Sequence, residues 1–254
     1  MKNNSKILIA IIVMLIALPF ISEAKFPGIL QRYQLGYSFV SNKANYEIKQ
    51  KLTLNGNTLD STFNYDMKTS GSFGATMGTY VPIKRLGRKS NLSWGIDYMY
   101  NMMLWDTKTK RFDNDGKLYD APFSGATVQM ALPTGLDLKF GCDAMTLKNH
   151  RFCATLGVGA LPSFSMTTLD DLNDITPQFS VAPYVKGEVG VYAGACFKLR
   201  AIYTIGNLTY VNQTQNSSNG KTTHLLQGAS NLTVSILVMP FAFTWHRDEW
   251  FNTY

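Results

Sequence analysis

The sequence predicts an all-β protein, an eight-stranded antiparallel transmembrane β-barrel with extended outer loops. Three observations predict it. The first is a dominant period of two over stretches of a dozen or more residues, such as "NLSWGIDYMYNMML", longer than the usual soluble strand of about 5–6. The second is the chemistry of the two faces. One is aromatic and aliphatic and the other carries Gly, Ser, Asn and charge, as when a barrel meets lipid outside and fills a narrow lumen within. The third is an even strand count with alternating long and short connections, the rhythm of outer loops and inner turns.

Taken in order, the chain opens on Lys2 and Lys6, then the apolar run "ILIAIIVMLIALPFI", then Ser22-Glu23-Ala24. This reads as a signal peptide over residues 1–24, cleaved near Ala24, with the barrel occupying 25–254. Removing Lys2, Lys6 and Glu23 takes the net charge from +7 to +6. That is ordinary surface charge without a dense basic-aromatic patch, so no nucleic-acid partner is expected. No window after residue 24 offers 18 consecutive apolar residues, so any crossing of a membrane is made by strands.

The expected strands are roughly 30–41, 71–83, 91–104, 123–141, 152–166, 177–192, 196–206 and 225–244. In the third, Leu92, Trp94, Ile96, Tyr98, Tyr100, Met102 and Leu104 share the apolar face. In the fifth, Phe152, Ala154, Leu156, Val158 and Ala160 do so, and in the seventh Phe197, Leu199, Ala201, Tyr203 and Ile205. Long connections are expected at 42–70, 105–122, 167–176 and 207–224, shorter ones at 84–90, 142–151 and 193–195. Aromatic girdles are expected from Trp94, Phe140, Phe152, Phe197 and Trp245 at one level and Tyr100, Phe123, Phe164 and Tyr203 at the other.

The stretch "GATVQMALPTGLDLKFG" contains Pro133-Thr134-Gly135, which resembles a turn. Splitting the chain there gives nine strands and breaks the loop rhythm, so it is read as one strand. A bulge or local break at Pro133, eased by Gly135, accommodates the missing amide. The first long connection carries Asn55-Gly56-Asn57, a strong hairpin signal. It predicts one very long hairpin standing roughly 40 Å out of the membrane at 3.3 Å per residue. The alternative makes residues 46–67 two further strands, ten in all.

Asp97, Asp137, Lys139, Lys186, Glu188, Lys198 and Arg200 all fall on lumen-facing positions, with Arg32 near the first strand. In a barrel whose interior is just filled by side chains, such charges pair. A salt-bridged structural plug is therefore expected; a conducting lumen is the alternative. His150, His224 and His246 lack ligand spacing, so no metal, cofactor or catalytic site is expected. A lipid-active enzyme would need His224 beside Ser217, Ser218 or an outer-loop Asp. Cys142, Cys153 and Cys196 lie near strand ends. Cys153 and Cys196 are on strands two apart, too distant for a disulfide; Cys142 and Cys153 flank one turn but face opposite ways, so only a pucker in that turn would join them. "RFDNDGK" at 111–117 only partly matches a calcium loop, and the sequons at Asn207, Asn212 and Asn216 mark a polar loop. "KRLGRK" at Lys84–Lys89 reads as a basic turn, either beside lipid phosphates or simply solvated turn charge.

The segments "GTYVPIKRLGRKSNLSWGIDYMY" and "PYVKGEVGVYAGACFKLRAIYTIGN" resemble the small outer-membrane β-barrel proteins of Gram-negative bacteria, the OmpA/OmpX-like group. They look most like the barrel-domain proteins of the Bacteroidota. The tail "FAFTWHRDEWFNTY" departs from the usual ending on a strand that closes with Phe. The resemblance implies an outer-membrane location and contact with outer-membrane lipid or lipopolysaccharide, but no common activity. The expected role is non-enzymatic: long outer loops presented for adhesion, envelope integrity or a protein partner in a surface or secretion complex. A porin-like narrow channel, a lipid-active enzyme and a secreted soluble sandwich are the alternatives.

Overall fold

The computed structural model describes residues 28–54, 57–112, 118–146, 150–170, 172, 175–217 and 220–245. The expected signal segment, Asn55, Gly56, residues 113–117 of the calcium-like stretch, Ser218 and His246 lie outside the described residues. A short helix, α1 (Gly28–Gln31), precedes β1 (Gln34–Leu54), β2 (Asn57–Gly87), β3 (Ser90–Phe112), β4 (Leu118–Ala131) and β5 (Thr134–Gly141). A second helix, α2 (Cys142–Met145), leads to β6 (Phe152–Leu169), β7 (Thr176–Ala193), β8 (Ala195–Thr204), β9 (Leu208–Ser217) and β10 (Gly220–Met239). A 3₁₀ turn, Pro240–Thr244, ends the fold.

Every ladder is antiparallel, and β1 pairs β2 on one side and β10 on the other, so the sheet closes into a barrel. The ten segments fill eight positions around the ring. β4 and β5 share one position, since both pair β3 and β6; β8 and β9 share another beside β10. The ten-strand alternative is thereby corrected, because residues 46–54 and 57–67 are the upper parts of β1 and β2, paired with each other.

The chain runs through Pro133 as one strand. Met99 pairs Ala131 and Ile96 pairs Thr134, so the register with β3 continues without a slip. The same holds on β6, from Ala131 with Ser163 to Thr134 with Ala160. Of the bulge or local break expected at Pro133, the structure has the break: β4 ends at Ala131 and β5 begins at Thr134, with no residue inserted. Pro133 still accepts from the Asp97 amide at 2.9 Å, so the pair keeps one of the two bonds an antiparallel pair normally exchanges.

The strands are also longer than expected. Much of 42–70, 105–122 and 207–224 is β-structure, because the arms of each hairpin bond to each other above the level where lipid ends. At that level the two faces exchange character. Below it, Tyr37, Phe73, Trp94, Leu136, Leu156, Val189, Leu199 and Ile236 point outward and are exposed, while Asp97, Lys139 and Arg200 point inward. Above it, Lys43, Asn45, Asn64, Asp66 and Asp106 point outward, and Tyr46, Met67, Trp105, Phe123, Tyr210 and Leu226 fill the inside. Register slips lie near the exchange, at Lys43/Ala44, Thr69/Gly71 and Leu226/Gln227.

Apolar outside and charged inside is stable only against lipid; polar outside and apolar inside is stable only against water. Along β8 and the residue that follows it, the outward apolar residues run from Phe197 to Ile205. At about 3.3 Å per residue and a tilt near 40° this spans roughly 20 Å, comparable with the ~25 Å apolar band of such barrels. The fold is a transmembrane barrel that continues upward as a water-facing β-structure with its own core. That upper part is a four-stranded sheet, ordered β2-β1-β10-β9, and the β3–β4 hairpin. Among the described residues, the ladder partners of 57–67 all lie on β1, so that stretch of β2 forms a sheet edge.

Candidate functional site

The barrel interior is layered. Its middle layer draws on alternate residues of neighbouring strands: Asp97 on β3, Asp137 and Lys139 on β5, Lys186 and Glu188 on β7, Lys198 and Arg200 on β8. All seven are buried. Asp143, from α2, joins them and was not anticipated, since it lies in a connection with no periodicity to give its direction. Among the described residues the buried carboxylates Asp97, Asp137, Asp143 and Glu188 face the buried cations Lys139, Lys186, Lys198 and Arg200. The layer is therefore charge-balanced.

Register decides who pairs with whom. Glu188 lies directly opposite Arg200, and Arg200 Nε donates to Glu188 Oε1 at 2.7 Å. Asp137 and Lys186 lie on either side of Gly157 of β6. A Cβ on Gly157 would fall 2.3 Å from Asp137 Oδ1, so the bare glycine lets Lys186 Nζ reach Asp137 Oδ2 at 2.7 Å across the intervening strand. Arg200 Nη1 lies 3.0 Å from Asp97 Oδ1, which also accepts from Gln34 Nε2 at 3.0 Å. Lys198 donates to Glu188 at 3.2 Å and to Asp143; Lys139 donates to Asp143 at 3.1 Å. The Tyr80 hydroxyl donates to the Asp143 carboxylate, and Lys139 Nζ sits 4.0 Å over the Tyr80 ring. Arg32 stays outside this layer: its guanidinium donates to the Gly28 carbonyl and lies 6.0 Å from the Tyr80 ring.

Above the charges, Trp105 Nε1 donates to Thr127 Oγ1 at 2.8 Å within the apolar upper core. Phe123 belongs to this core and not to an outer girdle, a correction that follows from its phase: it shares its face with Thr127 and Gln129. His224, expected in a loop, is an inward residue of β10, with Nδ1 2.7 Å from the Tyr46 hydroxyl. It pairs in register with Gln213, whereas Ser217 pairs with Gly220 at the far end of the ladder. His150 sits in the lower connection, half-buried.

Below the charges, Tyr80, Cys142, Cys153, Cys196, Met239, Ala242 and Trp245 form a separate buried cluster. Trp245, expected at an interface, is turned inward by the 3₁₀ turn; its Nε1 donates to the Gln31 carbonyl at 2.9 Å and its ring stacks on Tyr192. The cysteine arrangement is also corrected. Cys142 is carried inward at the start of α2 and joins the other two, although its strand phase alone would separate them. The Asn57 backbone opens β2, while Lys84, Arg88 and Lys89 are exposed and Arg85 is half-buried at the lower rim.

No family model and no curated protein matches the chain. Among solved structures it is similar to the outer membrane protease OmpT from Escherichia coli, at a TM-score of 0.40 and 9% identity over 86% of this chain and 98% of that one. It is also similar to Ail, the attachment invasion locus protein of Yersinia pestis (TM-score 0.26, 9% identity, 78% of this chain and 98% of that one). A third is Neisserial surface protein A (TM-score 0.25, 14% identity, with 78% and 98% covered). At these scores the barrel assignment rests on the chain's own closed ladders.

Proposed function

We propose that this protein is a non-enzymatic outer-membrane barrel whose water-facing upper sheet binds a protein partner for adhesion or surface assembly. The observation that carries the reading is the exchange of faces. A chain that only had to cross the membrane would end its strands near the lipid boundary, whereas here β1, β2 and β10 continue into a sheet packed on its own apolar core. The β2 edge at 57–67 offers main-chain donors and acceptors to an added strand. Beneath it, the balanced charge layer and the aromatic-thiol cluster fill the lumen, which supports a plug over a conducting pore. The lipid-facing belt and the basic lower rim meet outer-membrane lipid.

The test is a variant with residues 46–65 replaced by a two-residue turn, examined beside the full chain. The shortened barrel is expected to keep its heat-modifiable gel migration and to lose attachment of whole cells to the surface that the full chain binds. Retained attachment overturns the reading. So do discrete conductance steps from the full chain in a planar bilayer, which would make it a channel.

A further inference from the structure

We propose that Cys142, Cys153 and Cys196 form a binding site for one soft, thiophilic metal ion at the lower end of the barrel. The three sulfurs lie within 4.8 Å of one another, all are buried, and Cys153 Sγ is 3.9 Å from Cys196 Sγ. They come from α2, β6 and β8, segments that meet only in the folded chain. Convergence depends on Gly190 of β7, the strand between β6 and β8. It pairs with Cys153, and a Cβ there would stand 2.8 Å from Cys153 Sγ, so the bare glycine leaves room for that thiol.

The spacing of Cys153 and Cys196 fits a metal and not a disulfide. Metal–sulfur bonds of about 2.3 Å set the sulfurs of a trigonal or tetrahedral site roughly 4 Å apart, close to the separation of Cys153 and Cys196. Strands two apart are separated by about 9.6 Å, beyond the ~7 Å limit between Cα atoms for a disulfide. The donors are soft. Met239 pairs with Cys196 and is buried in the same cluster, while the nearest carboxylate, Asp143, is engaged by Lys139, Lys198 and Tyr80. Thiolate and thioether donors select ions such as Cu(I), Zn(II) or Cd(II) over Mg(II) or Ca(II).

Charge also constrains the site. The adjacent layer is already balanced, and an uncompensated charge under Tyr80, Ala242 and Trp245 is costly. A divalent ion that displaces two thiol protons to solvent, forms two thiolate bonds and takes a dative bond from the third thiol leaves the site neutral. Because the ligands meet only on folding, loading stabilises the lower plug.

The test uses full-length protein folded in detergent and titrated with Cd(II), whose thiolate charge-transfer absorption reports the ligands directly. One Cd(II) per chain is expected, bound in preference to Zn(II) and able to displace it. Cys142→Ser, Cys153→Ser and Cys196→Ser should each weaken binding roughly 10–100-fold, at least the loss seen for second-shell changes, with heat-modifiable migration retained. Should a serine variant fail to fold, the wild-type stoichiometry and charge-transfer band still decide. The proposal is overturned if the wild type retains no Cd(II), or if protein isolated without reductant holds a Cys142–Cys153 disulfide.

Discussion

Gly135 and Gly159 face each other across β5 and β6, where the two backbones approach too closely for a side chain. A Cβ on Gly135 would stand 2.2 Å from the Val158 carbonyl oxygen, and one on Gly159 would stand 2.2 Å from that of Thr134. Gly95 of β3 pairs with Gly135 from the other side. Next to Pro133, this row of glycines lets the sheet curl without a slip in register, which is how a proline is carried in mid-strand.

Gly135→Val should therefore be among the more damaging single changes in the barrel wall. Inserting a branched side chain against a neighbouring backbone costs about 1–3 kcal/mol or more. The measurement is the temperature at which the folded gel band converts to the unfolded one. Gly135→Val should convert at the lower temperature and Gly135→Ala should fall between it and the wild type.

The charge layer gives a second prediction. Lys186→Met leaves Asp137 without its 2.7 Å partner and removes a cation 3.7 Å from Asp97. Breaking a buried pair from one side costs about 3–5 kcal/mol, whereas replacing both partners with apolar groups is often near neutral. Denaturant midpoints followed by tryptophan fluorescence should fall sharply for Lys186→Met. They should recover much of the loss in Lys186→Met with Asp137→Leu, since Asp97 keeps Arg200.

How much of this is readable in the sequence depends on whether a residue lies in a periodic stretch. Asp137 and Lys139, Lys186 and Glu188, and Lys198 and Arg200 are each two apart within strands, so the period of two sends each pair to one face. Asp143 lies in a connection and Trp245 after the last strand, in segments that fold back under the barrel, where alternation no longer gives direction. The thiols converge because Gly190 is bare and α2 turns Cys142 inward, relationships between segments that a linear pattern does not contain. The upper sheet was legible in principle: in "ANYEIKQ" the apolar Ala44, Tyr46 and Ile48 alternate with Asn45, Glu47 and Lys49. Its polar outer face made it look like a loop, because the exchange from lipid to water reverses which face is apolar.

The upper core supplies a third prediction. Trp105 is buried beside Tyr210 and bonds Thr127, which in turn bonds Thr167 at 2.8 Å. Trp105→Ala removes packing worth about 3–5 kcal/mol, whereas Trp105→Phe loses mainly the hydrogen bond, about 1 kcal/mol. Limited proteolysis of protein in membranes should cut Trp105→Ala in its upper half while the lipid-embedded half stays protected. Trp105→Phe should resemble the wild type.

The exchange of faces itself is tested by placing the same charge outward at two heights. Leu199 of β8 points outward and is 51% exposed, in the middle of the apolar belt. Asn45 of β1 points outward and is exposed above that belt. If lipid covers the first position and water the second, Leu199→Arg must bring a guanidinium into hydrocarbon, at a cost of about 2–4 kcal/mol near the midplane. Asn45→Arg exchanges one hydrated group for another and should stay within about 0.5 kcal/mol of the wild type. Reversible unfolding from lipid vesicles measures both. Equal small effects would mean that water covers the two heights alike, as in a soluble barrel. A large loss at Leu199 alone fixes the belt as the membrane-spanning part and the sheet above it as the part that stands in water.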